Sequence, residues 1–114
     1  MPGISIHVVD VSRGVVATGM RVELLSDHGA MIAAGTVSKT GTLADPALDR
    51  TFATGFYEAR FHIADYYRSA LGIAAPVPFL DVVSYRFGIA DSDAHYHLPM
   101  KCTPWGYSCF RGGA

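Results

Sequence analysis

Residues 95–114 read His-Tyr-His-Leu-Pro-Met-Lys-Cys-Thr-Pro-Trp-Gly-Tyr-Ser-Cys-Phe-Arg-Gly-Gly-Ala, and their reading decides how the rest of the chain is laid out. Side chains of a strand alternate between its two faces. A strand starting at His95 turns His95 and His97 to one side and Tyr96, Leu98 and Met100 to the other, an apolar side that needs a core. Pro104 and the Trp105-Gly106 pair break that strand, and the run 107–111 pairs back beside it. Two imidazoles side by side on a polar face add nothing to the stability of a small domain. The pair marks a candidate functional site.

The same alternation recurs earlier in the chain. Residues 3–10, Gly-Ile-Ser-Ile-His-Val-Val-Asp, read as a strand with Ile4, Ile6 and Val8 inward and Ser5 and His7 outward. Ser12-Arg13-Gly14 is a turn, and residues 20–25 are a second strand. Ser26-Asp27-His28-Gly29 is a hairpin turn into a third strand at 30–35. A polar loop runs over 36–46, and a short strand is expected at 50–53. Residues 56–63 form a clearer strand, with Tyr57, Ala59, Phe61 and Ile63 inward and Glu58, Arg60 and His62 outward. Residues 64–71 are the one helical stretch, with Asp65 near its start and Gly72 as its stop. Pro76 and Pro78 bar a central strand, and residues 80–89 form a long strand ahead of the histidines. About eight short strands and one short helix describe an all-β chain folded as an antiparallel β-sandwich.

At 114 residues the chain is a single domain, 1–114. Half of it is hydrophobic and 17% is charged, which excludes disorder. A net charge of −1 with no basic cluster excludes nucleic acid as partner. No apolar run approaches the roughly 20 residues needed to span a bilayer, so no membrane association is expected. The first residues lack the charged and apolar regions of a secretory signal, and Gly112-Gly113-Ala114 is no peroxisomal address. A cytoplasmic location is expected, with Cys102 and Cys109 as reduced thiols. The mean hydropathy of +0.24 is high for a small monomer and points to surface buried between subunits.

Several motifs together resemble one family. His7-Val8-Val9-Asp10, then Gly14, Ala17 and Met20-Arg21-Val22-Glu23-Leu24, are similar to the opening motif of the transthyretin-like family. Gly55-Phe56-Tyr57 with Phe61 resembles its fifth strand. His95-Tyr96-His97-Leu98-Pro99 and Pro104-Trp105-Gly106-Tyr107-Ser108 resemble its last two strands. The likeness covers essentially the whole chain, and it points to the enzymatic branch, the 5-hydroxyisourate hydrolases, which open a ring of the first product of urate oxidation. It implies an eight-stranded transthyretin-like β-sandwich, a homotetramer built as a dimer of dimers, active sites in a channel between dimers, and no cofactor.

That branch uses the His of the opening motif, an Arg after an Asp-Gly pair, the second His of His-Tyr-His, and a terminal Tyr-Arg-Gly-Ser. The histidines carry over as His7 and His97. The Asp-Gly-Arg segment aligns with Thr40-Gly41-Thr42, so Asp and Arg are both missing. The terminal motif reads Phe110-Arg111-Gly112-Gly113, which lacks the Tyr hydroxyl and the Ser. The resemblance thus implies His7 and His97 as catalytic residues. It also implies Thr42, His95, Phe110, Arg111, Gly112 and Gly113 as substrate-binding positions.

Opening a cyclic amide with water takes a base for the water's proton and donors for the oxyanion that develops. Histidine suits the first task because its ordinary pKa lies near neutrality. Thr42 in place of Arg removes a fixed positive charge, and Phe110 in place of Tyr makes a polar wall apolar. Such a pocket is expected to take a bulkier, less charged ring. We expect an N-methylated 5-hydroxyisourate from methylxanthine breakdown in preference to 5-hydroxyisourate itself, unless Arg50 or Arg111 restores the guanidinium from another position. Two other readings compete. His95, His97 and His7 resemble a zinc-like set, although no carboxylate or Cys falls at ligand spacing, and no metal is expected. The other reading is a non-enzymatic small-ligand binding protein, because the same fold carries hydrophobic hormones in transthyretin. Retention of His7 and His95-Tyr96-His97 favours the enzyme. His28 and His62 read as surface side chains, Lys101 as a snorkelling lysine, and Leu98 and Met100 as core.

Overall fold

The computed structural model describes residues 2–72 and 75–113. Its strands are β1 (Gly3–Asp10), β2 (Val15–Val16), β3 (Arg21–Ser26), β4 (Met31–Thr36), β5 (Gly55–His62), β6 (Val82–Ile89), β7 (His95–Cys102) and β8 (Tyr107–Cys109). A 3-10 turn, Pro46–Leu48, precedes β5, and a helix, α1 (Ile63–Leu71), follows it. The strands form two four-stranded sheets, ordered β2-β1-β7-β8 and β4-β3-β5-β6. Inward residues of both sheets meet in one core. Ile4, Ile6, Val8, Tyr96, Leu98 and Met100 come from the first sheet, and Val22, Leu24, Ala59 and Phe61 from the second. The result is the all-β sandwich with one short helix that the alternation predicts. Removing one of these side chains, such as Phe61 by Phe61→Ala, costs about 3–5 kcal/mol through lost burial and the cavity left behind.

Three local expectations need correction. The β1·β7 pair is parallel, in register from Gly3 beside His95 to Asp10 beside Cys102, whereas the other strand pairs are antiparallel. Alternation reports which face a side chain takes and says nothing of strand direction, which no hairpin sets here. The strand expected at 50–53 is irregular backbone. Phe52 alone plugs the core there, with the Arg50 guanidinium 4.6 Å over its ring. The two-residue strand β2 was not anticipated, being too short to alternate.

The far end of β1 is clamped to α1. Asp10 is fully buried and accepts hydrogen bonds from Ser12 Oγ at 2.6 Å, Tyr67 OH at 2.7 Å and Tyr66 OH at 2.9 Å. Burial alone would raise its pKa; the bonds from Ser12, Tyr67 and Tyr66 outweigh burial and hold the carboxyl below its ordinary value. The helix begins where β5 ends, the Ala64 N–H donating to the Asp81 carbonyl at 3.1 Å, and it stops at Gly72 in the left-handed region, φ 63°. Cys102 sits beside Tyr107 and Cys109 beside Met100, so the two cysteines are not register partners. Both are unpaired, and burial pushes each thiol up to about 11.

Candidate active site

The register of β1 against β7 gathers the histidines. Gly3 lies beside His95, Ser5 beside His97 and His7 beside Pro99. Register partners project to the same side, so Ser5, His7, His95 and His97 share the outer face of the first sheet, with His7 diagonal to His97. All four are half-buried in the single chain.

Ser5 joins the two imidazoles of β7. Its Oγ lies 2.8 Å from His95 Nε2 and 2.6 Å from His97 Nδ1. A hydroxyl carries one proton, so it donates to one ring and accepts from the other. With Nδ1 engaged, Nε2 of His97 is the nitrogen left for water or substrate. Burial pushes the His97 pKa below the ordinary histidine value, and positive charge on His7 and His95 acts in the same direction. At neutral pH His97 is therefore an uncharged imidazole able to accept a proton.

Backbone segments flank this face on both sides. Thr42 forms a bridge with His7, and Gly112 forms one with His97. The Val8 N–H donates to the Gly41 carbonyl at 2.8 Å, and the Gly112 N–H donates to the His97 carbonyl at 2.8 Å. A Cβ on Gly112 would lie 2.9 Å from Pro99 Cγ and 3.1 Å from His97 Cδ2, so this wall is bare backbone. Thr42 belongs to a triangle of hydroxyls. Ser38 Oγ stands 2.9 Å from Thr40 Oγ1 and 3.1 Å from Thr42 Oγ1, and the two threonine oxygens are 3.1 Å apart. Neutral hydroxyls thus occupy the place where the resemblance leads one to look for a guanidinium.

The remaining expected site residues divide. Phe110 is exposed, with Lys101 Nζ 6.0 Å from its ring centre, and alternation from Cys109 puts it on the histidine face. The Arg111 guanidinium stacks 4.0 Å over the Tyr96 ring and donates to the His95 carbonyl at 3.4 Å. Tyr96 belongs to the core side of β7, so in the single chain Arg111 is anchored away from the imidazoles. Gly113 is exposed, and Ala114 lies outside the described residues. Among the described residues no three His, Cys, Asp or Glu side chains stand close enough together to hold a metal ion. A separate cavity of about 270 Å³, lined by Tyr67, Arg68, Phe79 and Trp105 among others, contains none of the expected site residues.

Ser5 and Ser38 carry no site signal in the sequence, and the segment aligned with the Asp-Gly-Arg motif points to Thr42 without marking Thr40 or Gly41. Ser5 was legible as an outward residue, but its partners depend on the parallel register. His62 also needs correction, since it is no free surface side chain. Its Nε2 is 2.7 Å from Glu23 Oε1, and the hydrogen bond from His62 holds that carboxyl below its ordinary value. His28 is exposed, as expected.

Comparison with known proteins agrees with this arrangement. A profile of the family described as HIUase/Transthyretin matches residues 4–112. The 5-hydroxyisourate hydrolase of Deinococcus radiodurans is 40% identical over 115 residues, covering 97% of this chain and 96% of that protein. The 5-hydroxyisourate hydrolase 2 of Rhizobium meliloti is 42% identical over 111 residues, covering 93% and 92%. Among solved structures, the Klebsiella pneumoniae 5-hydroxyisourate hydrolase matches with a TM-score of 0.80 at 26% identity, over 99% of this chain and 100% of that one. An (S)-allantoin synthase matches with a TM-score of 0.85 at 33% identity, over 97% of this chain and 43% of that one. With two sheets, a histidine-bearing face and a family match that runs from β1 to the glycine beside His97, the chain belongs to the HIUase/Transthyretin family.

Proposed function

We propose that this protein is a cofactor-independent hydrolase that opens the ring of 5-hydroxyisourate or, in preference, of an N-methylated 5-hydroxyisourate. It works in the cytoplasm as a homotetramer, a dimer of dimers whose second subunit covers the histidine face. The observation that carries the reading is the uncharged His97, diagonal to His7 on one half-buried face and fixed at Nδ1 by Ser5. His97 Nε2 takes a proton from water, and the oxygen bonds to the amide carbon of the ring. The C–N bond then breaks, the nitrogen leaves with the proton returned by an imidazole, and the new carboxylic acid ionises to a carboxylate by releasing its proton to solvent. His7 orients the water or donates to the developing oxyanion. Enclosure by the neighbouring subunit excludes bulk water and strengthens both interactions.

The preference for a methylated ring rests on the Thr42 hydroxyl triangle and on Phe110. N-methylation removes an acidic N–H that a guanidinium would read and adds apolar volume. Substrates freshly generated by an oxidase from urate and from methylurates, followed by ultraviolet decay against the spontaneous rate, test both parts. Faster decay of a methylated substrate is expected. A clear preference for the unmethylated compound overturns the methyl reading. Binding with no acceleration of either favours a non-enzymatic carrier. His7→Gln and His97→Gln are each expected to lower turnover about 10²- to 10⁴-fold with the fold retained.

A further inference from the structure

We propose that Ser5 is a proton-relaying positioning residue, through which the proton taken up at His97 Nε2 ends on His95. The inference rests on the hydrolase reading and adds a route for the proton.

The geometry is that of a three-member chain: His97 Nδ1, Ser5 Oγ 2.6 Å away, and His95 Nε2 a further 2.8 Å on. Because one hydroxyl serves two rings, the tautomers of His95 and His97 are linked. In the resting arrangement His97 carries its proton on Nδ1 and donates to Ser5, while Ser5 donates to His95 Nε2. His97 Nε2 is then a lone pair facing the reaction. When water gives a proton to Nε2, the Nδ1 proton passes to Ser5 and the Ser5 proton passes to His95 Nε2. One proton has entered, Ser5 is again a neutral hydroxyl, His97 is again neutral with its proton on Nε2, and His95 holds the positive charge. The reverse shift returns the proton to the leaving nitrogen through His97, so atoms and charge balance over the cycle.

The surroundings favour this transfer over a charged His97. Burial resists protonation of that ring, and His7 on β1 would repel a cation there. Among the described residues Lys101 on β7 adds positive charge near this face, while the Arg111 guanidinium is held away from the imidazoles over the Tyr96 ring and at the His95 carbonyl. Thr42 and Gly112, the flanking residues, carry no charge. None of the ion pairs among the described residues involves His7, His95 or His97, so among those residues no carboxylate neutralises a proton on His97. A hydroxyl handing it one ring further along the strand does the equivalent work.

Two readouts on the full-length protein test this, one of them independent of turnover. Long-range ¹H–¹⁵N spectra of the imidazoles should show His97 as the Nδ1–H tautomer and His95 as the Nδ1–H tautomer accepting at Nε2. In Ser5→Ala the linked tautomers should be lost and kcat should fall on the order of 10-fold or more with KM little changed, while Ser5→Thr, which keeps the hydroxyl, should restore both. An Nε2–H tautomer for His97 in the unaltered protein, or Ser5→Ala with unchanged tautomers and kcat, overturns the relay. If no substrate is turned over, the spectra still decide the relay, and the hydrolase reading fails separately.

Discussion

Gly41 packs against the His7 imidazole so closely that a Cβ built on it would stand 2.6 Å from Nε2 and 2.7 Å from Val16 Cγ1. Its backbone is also left-handed, φ 84°. Gly41→Ala therefore combines backbone strain with overpacking, and a loss of about 2–4 kcal/mol is expected by urea denaturation. His7 must move, so kcat should fall as well. Gly19→Ala is the control: φ is 93° but nothing lies within 4 Å of its Cβ, so only the backbone cost of about 1–2 kcal/mol is expected, with kcat retained.

The lowered pKa of His97 gives a signed pH dependence. The unfolded chain protonates this ring near 6.5, whereas the folded chain does so only at lower pH. Between those two values the unfolded state binds the extra proton, so stability rises with pH. The contribution is fully present above 6.5 and is lost as pH falls through the folded value. Urea midpoints at about pH 7.5 and about pH 5.5 should show the drop, and His97→Gln should reduce it. Turnover should likewise hold below pH 6.5 before its acid limb appears.

Thr42→Arg puts a guanidinium beside His7, where three hydroxyls now stand. Relative kcat/KM should move towards the unmethylated ring by about tenfold, roughly the worth of one charged hydrogen bond to a ring N–H that a methylated substrate does not offer. Paired assays on both substrates check it. An unchanged ratio places ring selection elsewhere.

Asp10→Asn removes a buried charge that three hydroxyls are arranged to serve. A loss of about 2–4 kcal/mol is expected near pH 7. Because the folded pKa of Asp10 lies below its ordinary value of 3.8, its contribution is present above that value and lost as pH falls through the folded one. The difference between Asp10→Asn and the parent protein should therefore shrink in strong acid, as chemical denaturation at both pH extremes would show.

Much of this architecture can be read directly from residue order, for a physical reason. A period of two in β1, β5 and β7 sorts side chains between core and exterior, and Ile6, Phe61 and Leu98 are buried as that rule requires. His7 and His97 were legible because they break an otherwise apolar rhythm on its outward beat. What the rhythm leaves out is pairing between strands far apart in sequence. The link from Ser5 to His95 and His97 exists only through the parallel register, and the bond from His62 to Glu23 only through the β3·β5 pairing. Phe52 shows the opposite failure, since one buried aromatic in an irregular segment resembles a strand residue. The hydroxyl triangle at Ser38, Thr40 and Thr42 arises from a tight loop whose closure depends on Gly41.

The parallel seam between β1 and β7 also sets the order in which the chain can assemble. The first strand made has its long neighbour almost last, so its hydrogen bonds on that side wait until about residue 102 exists. The β3–β4 hairpin and the β5–β6 pair close over shorter loops and form without it. During synthesis the Ser5-to-His7 segment is thus an open edge on that side, and the histidine-bearing face is created in the same late event that completes the domain.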